Sequence, residues 1–145
     1  MQRRSLSTLL GAVVCVGLLT ACSDTTSPFG RQAAATYSLQ TVNGYRLPYS
    51  FGNQDGSTTF VQGDAYVLHD DDSYGEITNE TVSDGYQSYN VTETETGTWS
   101  QNGNTINFRP TSSTRGSFSS YSGYLDNQGT MRISLNGTVS IYYAQ

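Results

Sequence analysis

Lysine is absent from this chain of 145 residues, histidine occurs once and cysteine only twice, as Cys15 and Cys22. Each shortage removes a chemistry. With no lysine, a single histidine (His69) and no Gly-x-Ser-x-Gly elbow, the usual activated nucleophiles are missing. The expectation is a protein that is not an enzyme and has no catalytic residues, with carboxylate-only hydrolysis the one such chemistry left open. No cysteine follows Cys22, so no disulfide staples the rest of the chain, and stability must come from packing and hydrogen bonding. Cations are few as well. Seven arginines against twelve acids give a net charge of −5, which argues against binding nucleic acid or anionic headgroups through charge. Good helix formers thin out after the first twenty residues. Thr, Ser, Gly, Asn and eleven tyrosines take their place, a balance that suits strands and turns.

The first segment is of another kind. Arg3 and Arg4 precede an uncharged apolar run, Leu9 to Leu19, which has the length of a signal h-region and falls short of the ~20 residues needed to span a bilayer. Leu19-Thr20-Ala21-Cys22 follows, with small residues just before the cysteine. This stretch resembles the lipobox of bacterial lipoproteins. The resemblance implies cleavage after Ala21, a diacylated Cys22, and export to the cell envelope with anchoring on the periplasmic or surface face of a bacterial membrane. Arg3-Arg4 is also compatible with twin-arginine export. Two or more acyl chains make attachment stable, at about 0.8 kcal/mol per buried methylene. That lipid is the only non-protein group expected, and no cofactor or metal is. Removing residues 1–21 leaves five arginines against the same twelve acids, a charge of about −7.

Residues 22–35 read as a flexible tether, polar and small with Pro28 and Gly30. Residues 36–145 read as one domain of short strands. Five turn dipeptides punctuate it, Asn43-Gly44, Asp55-Gly56, Asp84-Gly85, Asn102-Gly103 and Asn136-Gly137, and each tolerates the positive φ that tight hairpins need. No helical stretch exists to carry a crossover, so an antiparallel meander is predicted. A two-residue loop at Asn102-Gly103 puts Trp99 opposite Ile106 and Gly97 opposite Phe108. A three-residue loop at Asn127-Gln128-Gly129 pairs Leu125 with Met131 and Gly123 with Ile133. A three-residue loop beginning at Asn136-Gly137 aligns Ile133 with Ile141 and Leu135 with Val139. The inward face is then Gly97, Trp99, Ile106, Phe108, Tyr121, Gly123, Leu125, Met131, Ile133, Leu135, Val139, Ile141 and Tyr143. Curling such a sheet until it closes removes its edges.

The segments YSLQTVNGYRLP (Tyr37 to Pro48), Gly63–Tyr74 and ETGTWSQNGNTINF together resemble the small lipocalin-like domains of bacterial lipoproteins. The resemblance covers about residues 36–145 and implies a short antiparallel up-and-down β-barrel of about eight strands. Gly97-Thr98-Trp99 matches the Gly-x-Trp of lipocalins, though it comes late in the chain, so its plugging role is not carried over.

Two polar clusters invite chemistry. His69-Asp70-Asp71-Asp72 lacks the ligand spacing of a calcium loop and reads as a hairpin turn. Glu93 and Glu95 share the parity of Trp99. Facing inward, the two carboxylates could hold a cationic ligand or act as an acid/base pair; because buried carboxylates are costly, they are expected instead to be turned away by a bulge near Thr96-Gly97 or to lie beyond the rim. A small apolar or amphipathic ligand is the expected partner, held by Trp99, Phe108, Tyr121, Ile133 and Tyr143. The alternative is an envelope interaction module, of assembly or inhibitor type, whose barrel is packed solid.

Overall fold

A computed structural model describes residues 33–116 and 119–145. The signal segment, Cys22 and nearly all of the tether lie outside the described residues. What is described is all-β, with ten strands: β1 (Thr36–Val42), β2 (Tyr45–Arg46), β3 (Tyr49–Gly52), β4 (Thr58–Leu68), β5 (Ser73–Ser83), β6 (Ser88–Asn102), β7 (Thr105–Ser113), β8 (Tyr121–Leu125), β9 (Thr130–Leu135) and β10 (Thr138–Ala144). β4 to β10 form a meander, β10 pairs with β1, and β1 returns to β4 through Thr36↔Val67, Tyr37↔Tyr66 and Ser38↔Ala65. Eight antiparallel strands thus close into an up-and-down barrel, the predicted fold class. β2 and β3 are additions at the seam. Past Ser38, β1 leaves β4 and pairs with β2 instead, while the first half of β4 pairs with β3.

The turn chemistry explains the registers and corrects two of them. Asn136 and Gly137 have φ of 51° and 82°, the two left-handed residues of a tight two-residue hairpin. The loop is therefore one residue shorter than expected, and Ser140 faces Ile133. A one-residue slip flips a whole strand. Tyr142 points inward and is buried, Val139 and Ile141 leave the core set, and Tyr143 lies on the outer face with half its surface exposed. At the β6–β7 hairpin the loop is Gly103-Asn104, so Trp99 pairs with Phe108 and Gly97 with Pro110. That is a two-residue shift, so Trp99, Ile106 and Phe108 keep their inward side. The predicted pairs Leu125↔Met131 and Gly123↔Ile133 are present. The ring over Gly97 is that of Tyr74, and a Cβ there would come within 2.8 Å of it. His69 to Asp72 form the β4–β5 turn, in which Oδ1 of Asp71 accepts the Ser73 N–H at 3.0 Å.

One end of the barrel is sealed. Ala33 is fully buried, Leu68 N–H donates to the Ala35 carbonyl, and the Trp99 indole N–H donates to the His69 carbonyl. Gln145 N–H donates to the Thr36 carbonyl at this same end. The midsection is filled by an aromatic cluster in which Phe108 lies 4.9 Å from Tyr121, 5.1 Å from Tyr74 and 5.2 Å from Tyr66, centroid to centroid. Toward the other end the filling stops.

Candidate functional site: a half-acidic cavity at the open end

Three bulges shape the barrel wall; one in β1, between Leu39 and Thr41, lets both Leu39 and Val42 face inward, and the other two place the acidic residues. In β4, Val61 pairs with Glu80 but Gly63 with Asn79, so Gln62 is the extra residue and the strand's parity changes there. Val61 before the bulge and Asp64, Tyr66 and Leu68 after it all face inward. The second of these two is at Thr96/Gly97, as expected, but its extra residue is Thr111 on the partner strand β7. β6 therefore stays regular, and Glu93 and Glu95 remain on the side of Trp99. The expectation that they turn away is overturned: Glu95 is buried and Glu93 half-buried. On β5 the inward residues are Tyr74, Glu76, Thr78 and Glu80, and Glu76 stands directly opposite Glu95. All four glutamates of the chain, with Asp64, line or approach the interior.

Like charges across a strand pair repel, so the arrangement needs partners. Glu95 Oε1 accepts hydrogen bonds from the hydroxyls of Tyr74 (2.6 Å) and Tyr121 (2.8 Å), and the Tyr121 and Tyr66 hydroxyls lie 3.0 Å apart. Glu76 is met by Arg115, whose Nη1 lies 3.2 Å and 3.4 Å from its two oxygens. The same guanidinium donates through Nε to Glu93 and through Nη2 to the Thr78 hydroxyl. The turn carrying Arg115 is fixed to β6 by Thr114, whose N–H donates to the Thr94 carbonyl and whose hydroxyl accepts the Thr94 N–H, both at 2.9 Å.

Asp64 is left over. Its Oδ2 accepts the Tyr142 hydroxyl at 2.7 Å, while its Oδ1 is shielded from solvent and has no hydrogen-bond partner. Burial, then the nearby Glu76 charge, push this carboxyl up to about 7 against the weaker pull of Tyr142, Arg115 and Thr78. Burial also raises Glu76, partly offset by Arg115, and raises Glu80, helped by Glu93. Burial works against the charge on Arg115, but Glu76 and Glu93 outweigh it and hold the guanidinium above its usual range.

Facing this acidic wall across the barrel are Ile133 and Leu135 of β9, with Leu39 and Val42 of β1 beside them. Val61 and, at the mouth, Tyr49 and Phe51 of β3 complete an apolar wall. The space enclosed is about 390 Å³. Tyr45, Tyr49 and Phe51 form a ladder at the seam, successive rings 6.4 Å apart.

Of the five residues expected to hold a ligand, Ile133 alone lines this cavity. Trp99, Phe108 and Tyr121 belong to the filled part of the barrel, with the Tyr121 hydroxyl reaching the Glu95 cluster. Tyr143 is outside, and its neighbour Tyr142 forms part of the cavity floor. A wider hollow of about 650 Å³ lies on the outer wall where β7 runs on past β8. It is lined by outward Thr, Ser, Asn107 and Arg109 together with three of the expected residues, Trp99, Phe108 and Tyr121, and it borders residues 117–118, which are not described. Asp64 and Arg115 were not singled out from the sequence. Asp64 shares parity with Tyr66 and Leu68, which was a usable signal, whereas nothing local marks Arg115.

No protein-family profile matches the chain, and no curated protein matches it significantly.

Proposed function

We propose that this is a lipid-anchored cell-envelope protein, not an enzyme, whose barrel binds a small amphipathic molecule in the cavity at its open end. The observation that carries this reading is the cavity itself, about 390 Å³ with one apolar and one acidic wall. A barrel serving only as a packed support would gain stability by filling that space with side chains. The lipocalin-like pattern of residues 36–145 and the lipobox-like Leu19-Thr20-Ala21-Cys22 support the barrel's role and its anchoring. The interaction-module reading draws on exposed apolar residues at the same end, among them Tyr45, Phe51 and Leu135.

Calorimetry with six- to eight-carbon amphiphiles separates the two. Saturable binding at micromolar affinity or weaker is expected, since so small a cavity buries few ligand atoms. Ser140→Phe, which directs a ring into the cavity from β10, should abolish it. If nothing in such a panel binds, the barrel acts through its surface. Trp99, the sole tryptophan, lies too close to the sealed end for its fluorescence to report on this cavity. The anchoring is tested separately: Cys22→Ala should lose the detergent-phase partitioning of the wild type, and equal partitioning would exclude a lipid at this position.

A further inference from the structure

Asp64 gives the cavity a chemical preference. Its carboxyl lines the cavity, and its Oδ1, shielded from solvent, accepts no hydrogen bond. A buried carboxylate with an unpartnered oxygen is costly, so a positive charge placed beside it would be stabilising. The protein's own cations do not supply one. Arg115 is committed to Glu76, Glu93 and Thr78, and the chain has no lysine. The cavity lining also carries Glu76 and Glu80, so three carboxyl groups face one guanidinium and the surplus charge is negative.

We propose that the cavity takes an organic amine, with its ammonium against the acidic wall at the Asp64 carboxyl and its apolar body against Leu39, Val42, Val61 and Ile133. This rests on the binding-barrel reading above. An anion would meet the acidic wall, and an alcohol could donate a hydrogen bond but would leave the charge in place. A bare metal ion lacks its ligands: among the described residues no three His, Cys, Asp or Glu side chains converge to hold one. At roughly 30 Å³ per water-sized group, 390 Å³ holds an amine of about a dozen non-hydrogen atoms at most. The groups facing Asp64 are Glu76 and Thr78 from β5, Tyr66 from its own strand, Tyr142 from β10 and Arg115 from the turn after β7. Of these only Arg115 opposes a second cation, and it is already held by two glutamates.

The test compares hexylamine, hexan-1-ol and hexanoate, which share one apolar body, by calorimetry on the wild-type protein at pH 8. Hexylamine should bind at least about tenfold more tightly than hexan-1-ol, as a charge-assisted hydrogen bond exceeds a neutral one, and hexanoate should bind most weakly. In Asp64→Asn the amine should fall to within about twofold of the alcohol, whose own affinity changes little. Amine affinity should also rise from pH 5 to pH 8 as Asp64 ionises. Equal affinities for amine and alcohol in the wild type, or an amine preference that survives Asp64→Asn, would overturn the amine assignment while leaving the cavity as a binding site. Failure of all three to bind would remove the binding reading and the amine with it.

Discussion

Truncating Phe108 to alanine should lower stability by about 3–5 kcal/mol, the usual cost of removing a large aromatic from a packed core. Phe108 is 1% exposed and, among the described residues, is the one ring in contact with Tyr66, Tyr74 and Tyr121 together. Its removal opens a void that these rings cannot close without moving their hydroxyls, and two of those hydroxyls hold the buried Glu95. Packing loss and the exposure of a carboxylate therefore act in the same direction. In a domain of this size, each kcal/mol shifts the midpoint by roughly 4 °C, so the thermal transition should fall by about 12–20 °C. Tyr86→Ala, at a side chain 96% exposed, should change stability by less than about 0.5 kcal/mol. A Phe108→Ala loss below about 1 kcal/mol would mean that the midsection is not the packed core described here.

Stability should also decline as the pH rises from about 4 to 7, the reverse of the common acid-denaturation profile. The Asp64 carboxyl, at about 7 in the fold, sits near 3.9 when unfolded. Between those values the folded state holds a proton that the unfolded chain has released, so raising the pH favours unfolding. The stabilisation is complete below about 4 and gone above about 7. Three pH units at about 1.4 kcal/mol each set an upper bound of roughly 4 kcal/mol. Glu76 and Glu80, also raised by burial, act with the same sign. Asp55, Asp71, Asp84 and Asp126 are held low by hydrogen bonds in their turns, so their contribution is lost only as the pH drops further, through their lowered values. A maximum near pH 4–5 results. Urea midpoints at pH 5 and pH 8 check this: the wild type should lose a few kcal/mol, and Asp64→Asn should lose markedly less. A wild-type midpoint that stays level over this range would show that Asp64 is not held protonated.

Much of the fold could be read from the sequence because its turns carry their own conformational requirement. Asn-Gly and Asp-Gly steps separated alternating strands, and two hairpins, β6–β7 and β8–β9, carried one apolar face through to the end of β9. The reading failed at β10, where Asn136-Gly137 closes a two-residue loop instead of three. The error moved Tyr143 to the outside and put Tyr142 at the cavity floor. For Glu93 and Glu95 the alternation was right and the energetic objection was wrong. The objection assumed bare carboxylates, but their partners come from far along the chain: Arg115 lies 22 residues from Glu93, and Tyr121 lies 26 from Glu95. Asp64 follows Gly63, a residue that weakens a strand pattern, and the alternation on either side of Gln62 is out of phase. A bulge there continues the strand and also turns the carboxyl inward.

The sealed end gives the barrel a direction. Ala33 and Gln145 both leave the wall there, opposite the Asn43 and Asn136 turns that ring the mouth. The chain enters the barrel at its closed end, so an attachment at Cys22 of the kind proposed would leave the mouth clear. The same placement makes the C-terminus the place for a fused reporter, since a tag following Gln145 extends from the closed face and leaves the entrance clear.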